Sequence, residues 1–365
     1  MLLKEVYNPQ FLQNFAAAIL QIDKSFDAKK FLKITNQKSW EEKALKERMR
    51  AISLHLDDCF VGKNYVQKIE ILKKAAPQIL GNKYNSLVMI VLPDFVEVFG
   101  QHDFENSMLA LEFFTEFGSS EFAVRRFIKI DCDLALKFFK KWSKSKNYHI
   151  RRLASEGCRP RLPWGEALDN FKKDPTKILP ILEELKFDDF EYVRRSVANN
   201  INDISKDHLQ LVLDLMKKWQ KEKVEPRLIK HALRTLLKKG NREALEIIGI
   251  KTQNLSKDFT IQSFSLQKSE VKIAADLSFD FILESQSSDN KIRLEYAVYF
   301  QKQNGSLAKK IFQITTKNFA KGVFEFSKKH SFRDLSTRKH YAGKHLISLV
   351  VNGMEIQKLQ FDLIK

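Results

Sequence analysis

The residues best placed to do chemistry lie between Asn147 and Gly165, in NYHIRRLASEGCRPRLPWG. Arg159, Arg161 and Trp164 fall within six residues of one another, just after Glu156. Two guanidiniums and an indole beside a carboxylate suit a ligand that is both anionic and aromatic, because guanidiniums grip phosphates and stack on rings. Pro160 and Pro163 restrict their own φ and the residues before them, so the turn has little freedom to lose on binding. Ahead of the turn, Asn147 is placed to cap a helix. On that helix Ile150, Leu153, Ala154 and Gly157 form one apolar stripe. Arg152 and Glu156 share the polar side at i, i+4 and could simply pair with each other. Gly157 is expected to end the helix.

No other constellation competes. Cys59, Cys132 and Cys158 are odd in number and far apart, which gives neither a metal spacing nor a disulfide framework and fits a reducing compartment. His340 and His345 are five apart and His149 stands alone. There is no P-loop and no GxSxG, so no metal and no cofactor are expected.

HIRRLASEGCRPRLPWG closely resembles the signature of bacterial DNA alkylation repair proteins, the HEAT-like-repeat alkylpurine DNA glycosylases of the AlkC and AlkD families. The match is nearer to AlkC, whose members run SEG-x-RPRLPW here. The resemblance implies an active site of carboxylates and a tryptophan, carried onto Glu121, Glu156, Asp203 and Trp164. Read from the residues alone, Glu121 could favour a helix N-terminus, and Asp203, in NNINDIS, could bridge a turn between helices. Glu156 could serve only Arg152, and Trp164 could be packing. The implied reaction is hydrolysis of the N-glycosidic bond of a positively charged alkylated base. Such bases include 3-methyladenine, with 3-methylcytosine and 7-methylguanine in the same class. A cationic base leaves readily, so the carboxylates would stabilise an oxocarbenium-like sugar and position water without a general acid. Trp164 would face the cation.

Charge agrees with a polyanionic partner. The 365-residue chain carries a formal net charge of +18 and a pI near 9.6. Residues 121–165 hold twelve Lys or Arg against four acids. An Arg-Arg pair recurs after an aromatic residue at Phe122-Ala-Val-Arg125-Arg126, Tyr148-His-Ile-Arg151-Arg152 and Tyr192-Val-Arg194-Arg195. Repeats of roughly 40 residues built from helix pairs mark HEAT-like solenoids, whose stacked units leave a concave surface. Arg125, Arg126, Arg151, Arg152, Arg159, Arg161, Arg194 and Arg195 are therefore expected to hold DNA phosphates. The alternative is that each arginine merely pairs with an acid nearby.

The elements that must position these groups are helical up to about residue 254. Asn8-Pro9 starts a helix, Ser39-Trp40-Glu41-Glu42 has the capping-box pattern, and Tyr65–Leu80 is amphipathic. Leu87–Phe99 is evenly apolar and hence expected to be buried, and Glu225–Leu237 continues the helical pattern. Beyond residue 254 about seven short β-rich segments follow, ending in His345–Val351, Asn352-Gly353 and Met354–Leu363, a strong hairpin signal. That spacing suggests an immunoglobulin-like sandwich, which AlkC-like proteins also carry and AlkD-like ones lack. The expectation is an α-solenoid of HEAT-like repeats over 1–254 and an all-β immunoglobulin-like sandwich over 255–365. A signal-peptide core and a membrane-length apolar run are not seen, so a cytoplasmic monomer acting on double-stranded DNA is expected. The alternative function is a non-enzymatic HEAT-repeat protein that binds damaged or branched DNA. A protein-binding scaffold is the weaker third reading.

Overall fold

The computed structural model describes residues 2–36, 39–81, 86–253, 258–334 and 339–365. The chain is an α-solenoid of HEAT-like repeats followed by an all-β immunoglobulin-like sandwich. It divides into two compact units, Met1–His208 and Leu209–Lys365. The expected boundary at 254/255 lies outside the described residues.

In the first unit the sequence signals mostly fix the helix ends. Asn8 accepts a hydrogen bond from the Phe11 N–H and caps Pro9–Ile22. Asn64 caps Tyr65–Leu80, with Gln67 returning a bond to the Asn64 N–H. Residues 88–96 of the stretch expected to be buried are buried, in a 3₁₀ turn Ser86–Ile90 running into the helix Val91–Phe99, and its ends are half-buried. One helix start differs. The helix expected from Ser39 begins at Leu45, and Glu47 accepts from the Ala44 N–H. Trp40 is buried under the Arg48 guanidinium, 4.8 Å from its ring, and this packing holds the preceding turn out of the helix.

The helices of the signature region sit on their neighbours through small residues. Asn147 caps Tyr148–Glu156 as expected, accepting from the His149 N–H at 2.9 Å. Gly157 ends this helix for a reason the sequence does not announce. Its φ is an ordinary −64°, but a Cβ there would lie 2.7 Å from Val124 and 3.1 Å from Phe139. The glycine is required by close packing and not by a left-handed turn.

In the second unit the strands are β1 Phe259–Leu266, β2 Glu270–Lys272, β3 Asp276–Ser285, β4 Asn290–Gln301, β5 Leu307–Phe319, β6 Gly322–Ser331, β7 Gly343–Val351 and β8 Met354–Ile364. They form a sheet in the order β1-β3-β6 and a second in the order β2-β8-β7-β4-β5. All pairings are antiparallel except β2 with β8. The β-rich run Lys272–Leu283 does not form one strand: it is broken at Ala274, whose φ of 72° no strand accommodates. Asn352 and Gly353, at φ 48° and 79°, make the hairpin turn read from the sequence.

Alternate residues of β4 face the sandwich core, Ile292, Leu294, Tyr296 and Val298 among them. Arg293 and Glu295 face the other way, yet both are buried. The helices Leu209–Lys221, Pro226–Ala232, Arg234–Lys238 and Arg242–Ile247 belong to this same unit. Gly240 approaches the hairpin so closely that a Cβ would lie 2.7 Å from the Gly353 carbonyl oxygen. Asn352 bonds both the Arg293 N–H and the Lys251 carbonyl. The last helices thus pack as part of the sandwich's own unit.

Candidate active site

The first arginine of each repeated pair and the second point in different directions, as neighbours about 100° apart on a helix must. Each first arginine ties down a turn between helices. Arg125 is buried and donates to the carbonyls of Gly157, Arg159 and Glu166, so it holds the whole RPRLPW turn in place. Burial draws its pKa down to about 10. Arg151 grips Asp188 with one edge of its guanidinium, Nε and Nη2, at 2.5 and 3.0 Å, and its Nη1 donates to the Ser145 and Lys146 carbonyls. Arg194 donates to the Asp188 and Asp189 carbonyls. Of the second arginines, Arg126 is exposed and bonded to Gln101, Arg195 is exposed, and Arg152 turns into the site.

That site is a chain of alternating charges. The Glu121 carboxylate meets Arg152 and also accepts from Ser119 Oγ. Arg152 lies 3.5 Å from Glu156 Oε1, donates to Ser119 Oγ and stacks on the Tyr192 ring at 5.0 Å. Arg159 Nη1 donates to Glu156 Oε1 at 2.6 Å, and its Nε donates to Asp203 Oδ2 at 2.9 Å. Ser196 Oγ fills the other Glu156 oxygen at 2.6 Å, and Lys206 reaches Asp203 from outside. Burial opposes the charge of Arg152, but Glu156 and Glu121 outweigh it and hold its pKa above the ordinary arginine value. Arg159 shows the same balance, with Glu156 and Asp203 as the counter-charges.

The structure corrects the sequence reading at the arginines and at Asp203. Arg159, expected on a phosphate, is 5% exposed and spends its donors on Glu156 and Asp203, and Arg125 is 1% exposed. A guanidinium buried between carboxylates is worth more as a counter-charge than as a surface cation, and removing it would strand them. Arg161 is half-buried and paired with Asp207. Asp203 does not lie in a turn between helices. It occupies the last turn of Glu191–Ile204 and is 2% exposed. Glu121 sits in the turn just ahead of the helix Val124–Ile130.

Glu121, Glu156 and Trp164 line one cleft of about 550 Å³, together with Arg152, Arg159 and Tyr192. Asp203 is not on its wall but behind Arg159. Trp164 is 63% exposed and holds a left-handed φ of 64°, a conformation that costs an L-residue about 1–2 kcal/mol. Lys46 fixes it there by donating to its carbonyl at 2.8 Å, while lying 4.9 Å over the Phe122 ring. Strain stored in an exposed ring at the mouth of a cleft is the pattern of a functional residue. Trp164→Gly removes both ring and strain. It should leave thermal stability at or above that of the parent, and lower the activity by roughly tenfold, the worth of one desolvated cation–π contact.

Sequence reasoning missed Ser119, Ser196, Tyr192 and Lys46. Tyr192 had a signal, since it is the aromatic member of the third repeat. Lys46 had none, because it reaches Trp164 across 118 residues of chain. Cys158, inside the signature, is buried with its thiol pushed up to about 12 by that burial, which makes it unsuited to nucleophilic work.

A helical-repeat protein with an immunoglobulin-like end, built around a cleft of interleaved carboxylates and guanidiniums, defines a narrow class. The family described as "Uncharacterised protein YhaZ, C-terminal Ig-like domain" matches residues 260–365. The chain is 39% identical over 363 residues to the uncharacterized protein YhaZ of Bacillus subtilis, covering 99% of each. It is 35% identical to the alkylpurine DNA glycosylase AlkC of Pseudomonas fluorescens, solved bound to DNA containing an abasic site analog, with 100% of both chains covered and a TM-score of 0.94. The chain belongs to the AlkC family. Among its described residues no helix is long and apolar enough to cross a membrane.

Proposed function

We propose that this protein is a monofunctional DNA glycosylase that acts as a monomer on double-stranded DNA and removes positively charged alkylated bases. The observation that carries the reading is the convergence of Glu121 and Glu156 on one cleft beneath the exposed Trp164 ring. The likeness to AlkC over the full length supports it. In the reaction the N-glycosidic bond breaks with its electron pair going to the base, so a cationic base departs neutral. The water oxygen bonds C1′ and its proton passes to a cleft carboxylate. An abasic site remains.

Negative charge on Glu121 and Glu156 favours positive charge on the oxocarbenium-like sugar more than the same charge on the base of the intact nucleoside, which is the condition for rate enhancement. Trp164 presents its ring face to the cationic base. Asp203 acts at one remove. It holds Arg159, which holds Glu156, so it is a positioning residue whose loss lets the carboxylate drift. Arg126 and Arg195, exposed on second-arginine positions, supply phosphate contacts that fix register without reading sequence. Incubation with methylated duplex DNA and identification of the released bases tests the activity. Release of 3-methyladenine supports it; tight binding to the same DNA with no base released favours a non-enzymatic damage-binding protein.

A further inference from the structure

The unit Leu209–Lys365 contains a second cleft, of about 560 Å³. One wall is apolar: Val224 and Ile229 come from around the helix Pro226–Ala232, and Ile247 from the end of Arg242–Ile247. The other wall is the β4–β5 hairpin, through Lys291 and Thr316. Lys223 and Lys230 complete the lining.

The three lysines are poorly answered. Lys291 gives one N–H to the Ile248 carbonyl at 2.5 Å and keeps its other donors. Lys223 and Lys230 have no hydrogen bond or ion pair to any described residue. The buried Arg293 lies close enough to Lys230 to repel it, and its Nε has no acceptor. The buried Glu295 pairs with Arg293 through Oε1 at 2.5 Å, while its Oε2 has no hydrogen-bond partner among the described residues. Burial, then Arg293 and Lys291, draw the pKa of Lys230 below the usual lysine range. Like charges around an apolar-walled cleft cost energy in the empty protein. An anion seated among them would remove that cost.

We infer that this cleft binds the phosphate group of a phosphate ester, with the ligand's organic part against Val224, Ile229 and Ile247. Lysine ammoniums are point charges with three donors each, suited to a tetrahedral anion approached from several sides. The apolar wall distinguishes a phosphate ester from a bare inorganic ion. A free nucleotide and a backbone phosphate of DNA share this chemistry. The inference does not depend on the glycosylase reading, since none of these residues lines the cleft of Glu121 and Glu156.

The test uses the full chain at low salt, with inorganic phosphate, deoxyadenosine monophosphate and undamaged duplex DNA as probes in thermal unfolding and calorimetric titration. Lys230→Gln and Lys291→Gln are compared with the parent. The nucleotide should raise the melting temperature of the parent and bind more tightly than inorganic phosphate. Each substitution should weaken it by roughly tenfold, the loss of one charge-assisted bond. Without ligand, Lys230→Gln should melt no lower than the parent, because an unanswered cation has been removed. If only duplex DNA protects, and both substitutions weaken that protection, the phosphate is the DNA backbone's. The inference fails if no phosphate compound shifts the parent, or if parent and both variants shift alike.

Discussion

Glu156→Gln should lower the single-turnover rate of base release by about 10²–10³-fold while changing DNA affinity by no more than a few fold, because it deletes charge that matters only once the sugar becomes positive. The amide is the right probe here. Glu156→Ala would leave Arg152 and Arg159 facing each other without the acceptor they share. Stranding buried charges in that way typically costs about 3–5 kcal/mol, so a loss of activity would then report unfolding as well as chemistry. Glutamine keeps the volume: its one oxygen still accepts from Arg159, and its NH2 can donate to Ser196 Oγ once that hydroxyl turns to accept. Full activity in a folded Glu156→Gln protein would remove Glu156 from the mechanism.

The second large effect is on stability. Arg159→Ala should shift denaturant unfolding by about 3–5 kcal/mol, because Glu156 and Asp203 lose the guanidinium that lies between them. Its activity should fall with its fold. Arg126→Ala and Arg195→Ala should behave in the opposite way. Both side chains are exposed, so unfolding should not move, but each should reduce the slope of log affinity against log salt by about one. A stable Arg159→Ala protein that only binds DNA more weakly would mean the buried pairing is incidental.

The contrast between these arginines shows what the sequence could and could not say. The Asn147 cap, the Arg152–Glu156 pairing at i, i+4 and the Asn352-Gly353 hairpin were legible, since each depends on residues a few places apart. Arg159 was not. It stands in a stiff, basic, proline-flanked turn that looks like surface, and what buries it comes from Asp203, 44 residues away. Asp203 misled in the complementary way. NNINDIS has the composition of a turn, but it is helical because the polar groups are satisfied across the helix interface, Asn200 donating to the Ser155 carbonyl at 2.9 Å. Tertiary partners overrode local preference at both places. The repeat was visible as a pattern, but its meaning was only half right. One arginine of each pair braces the fold, and only the other is placed to face outward or into the cleft.

The central claim is that the cleft stabilises positive charge and excises only bases that leave as neutral molecules from a cationic state. The most direct measurement compares single-turnover release of 3-methyladenine and of uracil from otherwise identical duplexes. The account predicts rapid release of 3-methyladenine and no detectable release of uracil, whose departure would put negative charge beside Glu121 and Glu156. Efficient excision of uracil would contradict it.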